Sequence, residues 1–124
     1  MSSVSCSNPA VLTGSSGNFT SPGYPGNYPN NARCSWLITV NSDKVVVIRF
    51  ISFNLEYDSQ CDYDSLTVHD GTNAAAPVLA TLCGTSAGPV STTGNNAFLL
   101  FTTDYSETES GFLATFTAED PPRK

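Results

Sequence analysis

The chain reads as an all-β protein, an antiparallel β-sandwich of short strands. Three observations predict this. Runs of five to seven residues rich in valine, isoleucine, leucine, threonine and phenylalanine recur between clusters of glycine, asparagine, aspartate and serine. No segment sustains an apolar period of 3.6 residues, so nothing in the pattern asks for a helix. At 124 residues and 40% apolar content, the chain is sized for one domain with one small core.

In chain order, residues 1–5 (MSSVS) have neither a basic start nor an apolar stretch, so no signal peptide is expected there. They read as a leader remnant before a mature domain. Thr20 to Asn31 holds three prolines, two glycines and two tyrosines, which rules out a regular helix. An extended or turning segment that crosses one end of the sandwich, with its tyrosine rings packed, is the expectation. The first predicted strand is Trp36–Val40, followed after the turn Asn41-Ser42-Asp43 by Lys44–Phe50. Ser65–His69 runs into the turn Asp70-Gly71-Thr72-Asn73, and Val78–Leu82 runs into the turn residues from Gly84 to Gly88. Ala97–Phe101 follows Gly94-Asn95-Asn96. The last predicted strand, Gly111–Phe116, alternates Phe112, Ala114 and Phe116 with Leu113 and Thr115, the pattern of a half-buried strand. Residues 119–124 read as a tail or linker, which leaves 6–118 as the domain.

The four cysteines, Cys6, Cys34, Cys61 and Cys83, form no Cys-x-x-Cys pair, and there is one histidine, so zinc-site spacing is absent. Even number and wide spacing in a chain rich in Ser, Thr, Gly and Pro point to disulfides and an extracellular setting. Four cysteines allow three pairings, and the residues alone do not choose among them. The sequential pairing would close two loops of a couple of dozen residues, each contributing about 3 kcal/mol by constraining the unfolded chain.

Charge narrows the function further. The net charge is −6, and no lysine or arginine occurs between Arg49 and Arg123. Nucleic acid and anionic membrane surfaces are therefore not expected as partners, and no apolar run approaches the ~20 residues of a membrane span. Glu56, Asp58, Asp62, Asp64 and Asp70 crowd one stretch, and Asp104 and Glu107 form a second. Carboxylates gathered without basic partners repel one another, and a hard divalent cation is the natural counterweight.

In order along the chain come Cys6, Ser21-Pro-Gly-Tyr-Pro-x-x-Tyr-Pro29, Cys34-x-Trp36, Phe53-x-Leu-Glu56, Cys61-x-Tyr-Asp64, Asp70-Gly71, Leu82-Cys-Gly84, Phe101-x-x-Asp104 and Gly111-Phe112. No single piece is specific, but nine in order are. From Cys6 to about Ala118 the chain resembles a CUB domain, a family found in complement-initiating and tolloid proteases, cubilin, neuropilins, spermadhesins and mucosal scavenger-type glycoproteins. The resemblance implies a jelly-roll-like sandwich of two antiparallel sheets and the disulfides Cys6–Cys34 and Cys61–Cys83.

The resemblance also implies a calcium site. Glu56, Asp64 and Asp104 fall on the family's carboxylate ligands, and Ser106 on the position that lends a backbone carbonyl. Glu107 stands where an asparagine ligand is frequent, a departure that alters the site's charge. Tyr28 matches the tyrosine beside the site that helps shape the partner-binding surface. In this reading Tyr28, Glu56, Asp64 and Asp104 receive a lysine or arginine of an extracellular protein, and Tyr28 offers an aromatic wall to its alkyl stem. Ca2+ suits such residues because it takes six to eight oxygen ligands from flexible carboxylates and carbonyls.

Two other classes compete. Catalysis is not expected. His69 alone could serve as the base of a triad, and it sits at a strand end. Glu56 and Asp64 could imitate a glycosidase pair, but Trp36, the one tryptophan, lies in a predicted core strand. Glycan binding, as in some spermadhesin-type domains, is the alternative reading, with Tyr24, Tyr57 or Tyr105 stacking on sugars. Asn18-Phe19-Thr20 is a glycosylation sequon, which requires Asn18 to face solvent.

Overall fold

The computed structural model describes Cys6 and residues 9–121; the leader expected at 1–5 and residues 122–124 of the tail lie outside the described residues. Nine strands form two sheets among them: β1 (Ala10–Thr13), β2 (Ser16–Thr20), β3 (Arg33–Thr39), β4 (Val45–Asn54), β5 (Ser65–His69), β6 (Val78–Leu82), β7 (Val90–Ser91), β8 (Asn96–Thr102) and β9 (Gly111–Glu119). One sheet has the order β1-β3-β8-β5-β6 and the other β2-β9-β4-β7. The two sheets face each other across a single core, as the alternation predicts.

The inward residues are those the apolar pattern marks. Trp36 and Ile38 on β3, Leu66 and Val68 on β5, and Ala97, Leu99 and Phe101 on β8 line one side; Val46 and Ile48 on β4 and Phe112, Ala114 and Phe116 on β9 line the other. Phe112 is the hub. Its ring lies 5.6 Å from Phe101, 5.7 Å from Trp36, 6.0 Å from Phe19 and 6.2 Å from Phe50, mostly edge to face. A register shift between Phe50 and Ser52 leaves Ile51 outside the ladder and 65% exposed. That one-residue correction turns Phe53 back to stack on Phe112, which plain alternation along β4 would not do. Cys6–Cys34 and Cys61–Cys83 are the disulfides, with Cα–Cα distances of 5.7 and 5.6 Å.

Three strands carry too weak a pattern to be read from sequence. β1 is four residues with Val11 exposed; β2 contains Gly17 and polar residues; β7 is two residues. One pairing departs from the antiparallel expectation: β1 runs parallel to β3, Ala10 opposite Trp36 through Thr13 opposite Thr39. β9 reaches Glu119, paired with Val45, so the ladder ends one residue into the expected tail.

The Thr20–Asn31 segment crosses the end of the sandwich where β9 begins. Ser21 is buried, donates its amide to the Phe112 carbonyl and accepts the Phe112 amide on its hydroxyl. Gly111 is required here, since its φ is +83° and a Cβ would collide with the Ser21 hydroxyl.

Candidate functional site

β5 and β8 are neighbours, with Ser65 opposite Thr102. Asp64, just before β5, and Asp104, just after β8, therefore emerge at the same end of one sheet. Glu56 follows the end of β4 in the other sheet, where Asn54 pairs with Gly111. The loop carrying Glu56 is held at its start by buried Leu55, whose amide donates to the Gly84 carbonyl, and further on by the Cys61–Cys83 disulfide. Residues distant in sequence thus meet where the sandwich opens. One oxygen from each of Glu56, Asp64 and Asp104 lies within 4.8 Å of the others.

A short hydrogen-bond chain fixes their order. The Glu56 amide donates to the Tyr28 hydroxyl at 3.0 Å, and that hydroxyl donates to Asp64 Oδ2 at 2.6 Å. Asp64 Oδ1 accepts the Asp104 amide at 2.9 Å, and Asp104 Oδ1 accepts the Ser106 amide at 3.2 Å. The Tyr28 amide donates to the Glu109 carbonyl and the Asn31 amide to the Asp104 carbonyl, so the proline-rich segment is laced to the loop after β8.

Electrostatics oppose this gathering. Burial pushes the Glu56 carboxyl above its usual range, and Asp104, Asp64, Glu107 and Asp58 push it further. Burial also raises the Asp64 carboxyl, and the hydrogen bonds from Tyr28 and the Asp104 amide recover part of that. Burial, then the bond to Asp64, drives the Tyr28 phenol far up, which keeps it protonated and donating. Among the described residues, Glu56 Oε1 is a buried side-chain oxygen without a hydrogen-bond partner. A buried carboxylate oxygen left unpaired is costly, and a cation is the partner its chemistry calls for. The residues present therefore fit a hard divalent ion.

The sequence expectations map unevenly onto this geometry. Glu56, Asp64 and Asp104 converge, and Ser106 lines the same cleft. Glu107 is exposed at φ 59° and is not part of the convergent group. Tyr28 is 1% exposed, and its ring packs edge to face on Phe101 at 5.2 Å. Its expected part as a wall for a partner's side chain is therefore corrected: a buried ring presents no surface, and Tyr28 holds the loops instead. Asp64 is likewise fully buried, which removes it from direct contact with a partner. Tyr63, which the motif reading passed over, lines an open cleft of about 440 Å³ together with Glu56, Asp104, Tyr105 and Ser106. Its outward direction follows from the burial of Asp64, since neighbours at a strand start point to opposite sides. His69 is buried against Phe98, with its ring nitrogens bonded to the Ala76 carbonyl and the Thr67 hydroxyl, neither of them a carboxylate.

Comparison with known proteins agrees with this picture. The CUB domain family matches residues 6–116. Cubilin from Canis lupus familiaris is 40% identical over 119 residues, covering 87% of this chain and 3% of that protein. Procollagen C-endopeptidase enhancer 2 from Mus musculus is 40% identical over 115 residues, covering 92% of this chain and 28% of that protein. The full extracellular region of zebrafish Gpr126/Adgrg6 superposes with a TM-score of 0.82 at 35% identity, covering 92% of this chain and 15% of that one. The MASP-1 CUB2 domain bound to Ca2+ superposes with a TM-score of 0.78 at 29% identity, covering 88% of this chain and 97% of that one. The chain thus spans a small part of the curated relatives it matches. It belongs to the CUB domain family and is an extracellular interaction module with two disulfides.

Proposed function

We propose that the acidic end holds one Ca2+ ion and, so arranged, receives a lysine or arginine from an extracellular protein partner, with no catalytic step. The observation that carries this is the meeting of Glu56, Asp64 and Asp104 around a buried, unpartnered Glu56 Oε1. Those three carboxylates would hold the ion, with the Ser106 carbonyl and Glu107 as further oxygen donors. Bound calcium would supply the positive charge that this end of the molecule lacks. The MASP-1 CUB2 domain bound to Ca2+ supports the choice of ion by likeness.

Within the chain the roles divide by exposure. Buried Asp64 and Tyr28 position the loops through their shared hydrogen bond. Half-buried Glu56 and Asp104 face the cleft, where carboxylates held in place are ready for an incoming cation without first losing rotamer freedom. Tyr63 and Tyr105, 50% and 80% exposed, flank them and offer aromatic faces to a cationic side chain and its alkyl stem. The net charge of −6 favours cationic partners over anionic ones. One such contact is weak, so avidity from repeated modules would set overall affinity.

Calorimetric titration of calcium into the wild type and Asp104→Ala tests the site. One-site binding near ~0.1–1 mM, typical of extracellular modules, is expected for the wild type and not for the variant. The same two proteins are then passed over immobilised poly-lysine and a glycan array, with calcium or chelator. Calcium-dependent retention on the cationic polymer alone supports the protein-recognition reading. Binding confined to sugars would favour the glycan alternative, which the exposed rings of Tyr57 and Tyr105 would serve.

A further inference from the structure

Among the described residues β2 is an edge strand: in the order β2-β9-β4-β7 only its β9 side is paired within the sheet. Edges are templates for pairing with other chains, and natural proteins blunt them with lysine, proline, bulges or covering groups. β2, Ser-Gly-Asn-Phe-Thr, carries no charge and no proline, and its five pairs with β9 run without a register shift. What it does carry is the acceptor sequence Asn18-Phe19-Thr20.

Alternation determines where Asn18 points. Phe19 turns inward onto Trp36 at 5.4 Å and Phe112 at 6.0 Å, and a Cβ on Gly17 would meet the Phe116 ring. Asn18, between them and opposite Thr115, is exposed on the outer face of the four-stranded sheet. The acidic cleft is built from different parts of the chain, the loops around Glu56, Tyr63 and Asp104 to Ser106. A large group on Asn18 would therefore disturb neither the core nor the cleft.

We propose that Asn18 carries an N-linked oligosaccharide and that this glycan shields the open β2 edge. The donor is a lipid-linked oligosaccharide diphosphate of the secretory pathway. The Asn18 side-chain nitrogen forms a bond to the anomeric carbon and loses one proton. The bond from that carbon to the diphosphate oxygen breaks, and the lipid diphosphate leaves with the electron pair. Thr20 supplies the hydroxyl that the transferring enzyme requires two residues after the asparagine.

The test is secretion from animal cells, followed by intact-mass measurement before and after peptide-N-glycosidase. A heterogeneous mass excess that the enzyme removes, leaving aspartate at position 18, is expected for the wild type and absent from both Asn18→Gln and Thr20→Ala. A single unmodified mass, from cells that glycosylate a reporter sequon, overturns the site. Light scattering at high protein concentration tests the shield. Asn18→Gln and Thr20→Ala, bare and uncharged at position 18, should self-associate more than the glycosylated wild type, and Asn18→Lys, bare but charged, should stay monomeric. Equal behaviour of all four would overturn the role at the edge while leaving the attachment site standing.

Discussion

The aromatic centre and the acidic end of this domain are both built on buried side chains, yet opposite forces govern them. Around Phe112 every ring adds apolar contact, and the geometry is its own reward. Around Asp64 the chain buries a carboxylate, brings two more within 4.8 Å of it, and leaves Glu56 Oε1 without a partner. The first region makes the fold stable. The second draws on that stability to hold like charges together, the arrangement that the proposed calcium ion would complete. Tyr28 joins the two, with its ring on Phe101 and its hydroxyl on Asp64.

The comparison can be broken most forcefully at the centre. Phe112→Ala should cost about 3–5 kcal/mol, seen as a fall in the urea midpoint that calcium does not selectively restore. Calcium removal should come next. At a hundredfold excess over Kd the ion would stabilise the folded state by about 2.7 kcal/mol, so chelation should lower the melting temperature by several degrees in the wild type and not in Asp104→Ala. Tyr28→Phe keeps the ring and deletes the hydroxyl. Leaving Asp64 Oδ2 and the Glu56 amide unpaired should cost about 1–3 kcal/mol and weaken calcium binding, measured by melting and titration together.

Acidification sharpens the contrast more gently. Glu56 and Asp64 hold protons more tightly in the calcium-free folded state than an ordinary carboxyl does. Their contribution to stability is therefore unfavourable at neutral pH, and it is relieved as pH falls through their raised folded values toward the ordinary range. Protons compete with the metal over that same window. The difference in melting temperature between calcium and chelator should shrink steadily from pH 7 downward. Smallest of all, Arg49→Ala removes an exposed ion pair to Glu119 on the outer sheet face, and about 0–1 kcal/mol of lost stability with no change in calcium response is expected.

What the sequence disclosed follows the same division. β3, β4, β5, β6, β8 and β9 announce themselves through runs of β-branched, leucine and aromatic residues, and β9 also through its alternation. β1, β2 and β7 do not, because a short edge strand buries too little to impose any pattern. The disulfide pairing and the convergence of Glu56, Asp64 and Asp104 were reached through the ordered motifs. Spacing alone says nothing of Ser65 lying opposite Thr102, which is what brings Asp64 and Asp104 together. Tyr28 was expected to present its ring to a partner, whereas the ring is buried and its hydroxyl is bonded to Asp64. Packing of the tyrosine-bearing segment was expected from its composition, but not the backbone bonds to Glu109 and Asp104 that hold it. The outward tilt of Tyr63 was readable only once Asp64 was known to be buried.

The most direct test compares thermal unfolding of wild type and Glu56→Gln, each in calcium and in chelator at neutral pH. The neutral amide keeps the shape and removes the orphaned charge. The account predicts that calcium raises the wild-type melting temperature and leaves Glu56→Gln unmoved, and that in chelator Glu56→Gln melts no lower than the wild type. A wild type indifferent to calcium, together with a Glu56→Gln variant that melts well below it in chelator, would contradict the account, because the acidic end would then be a self-sufficient part of the fold.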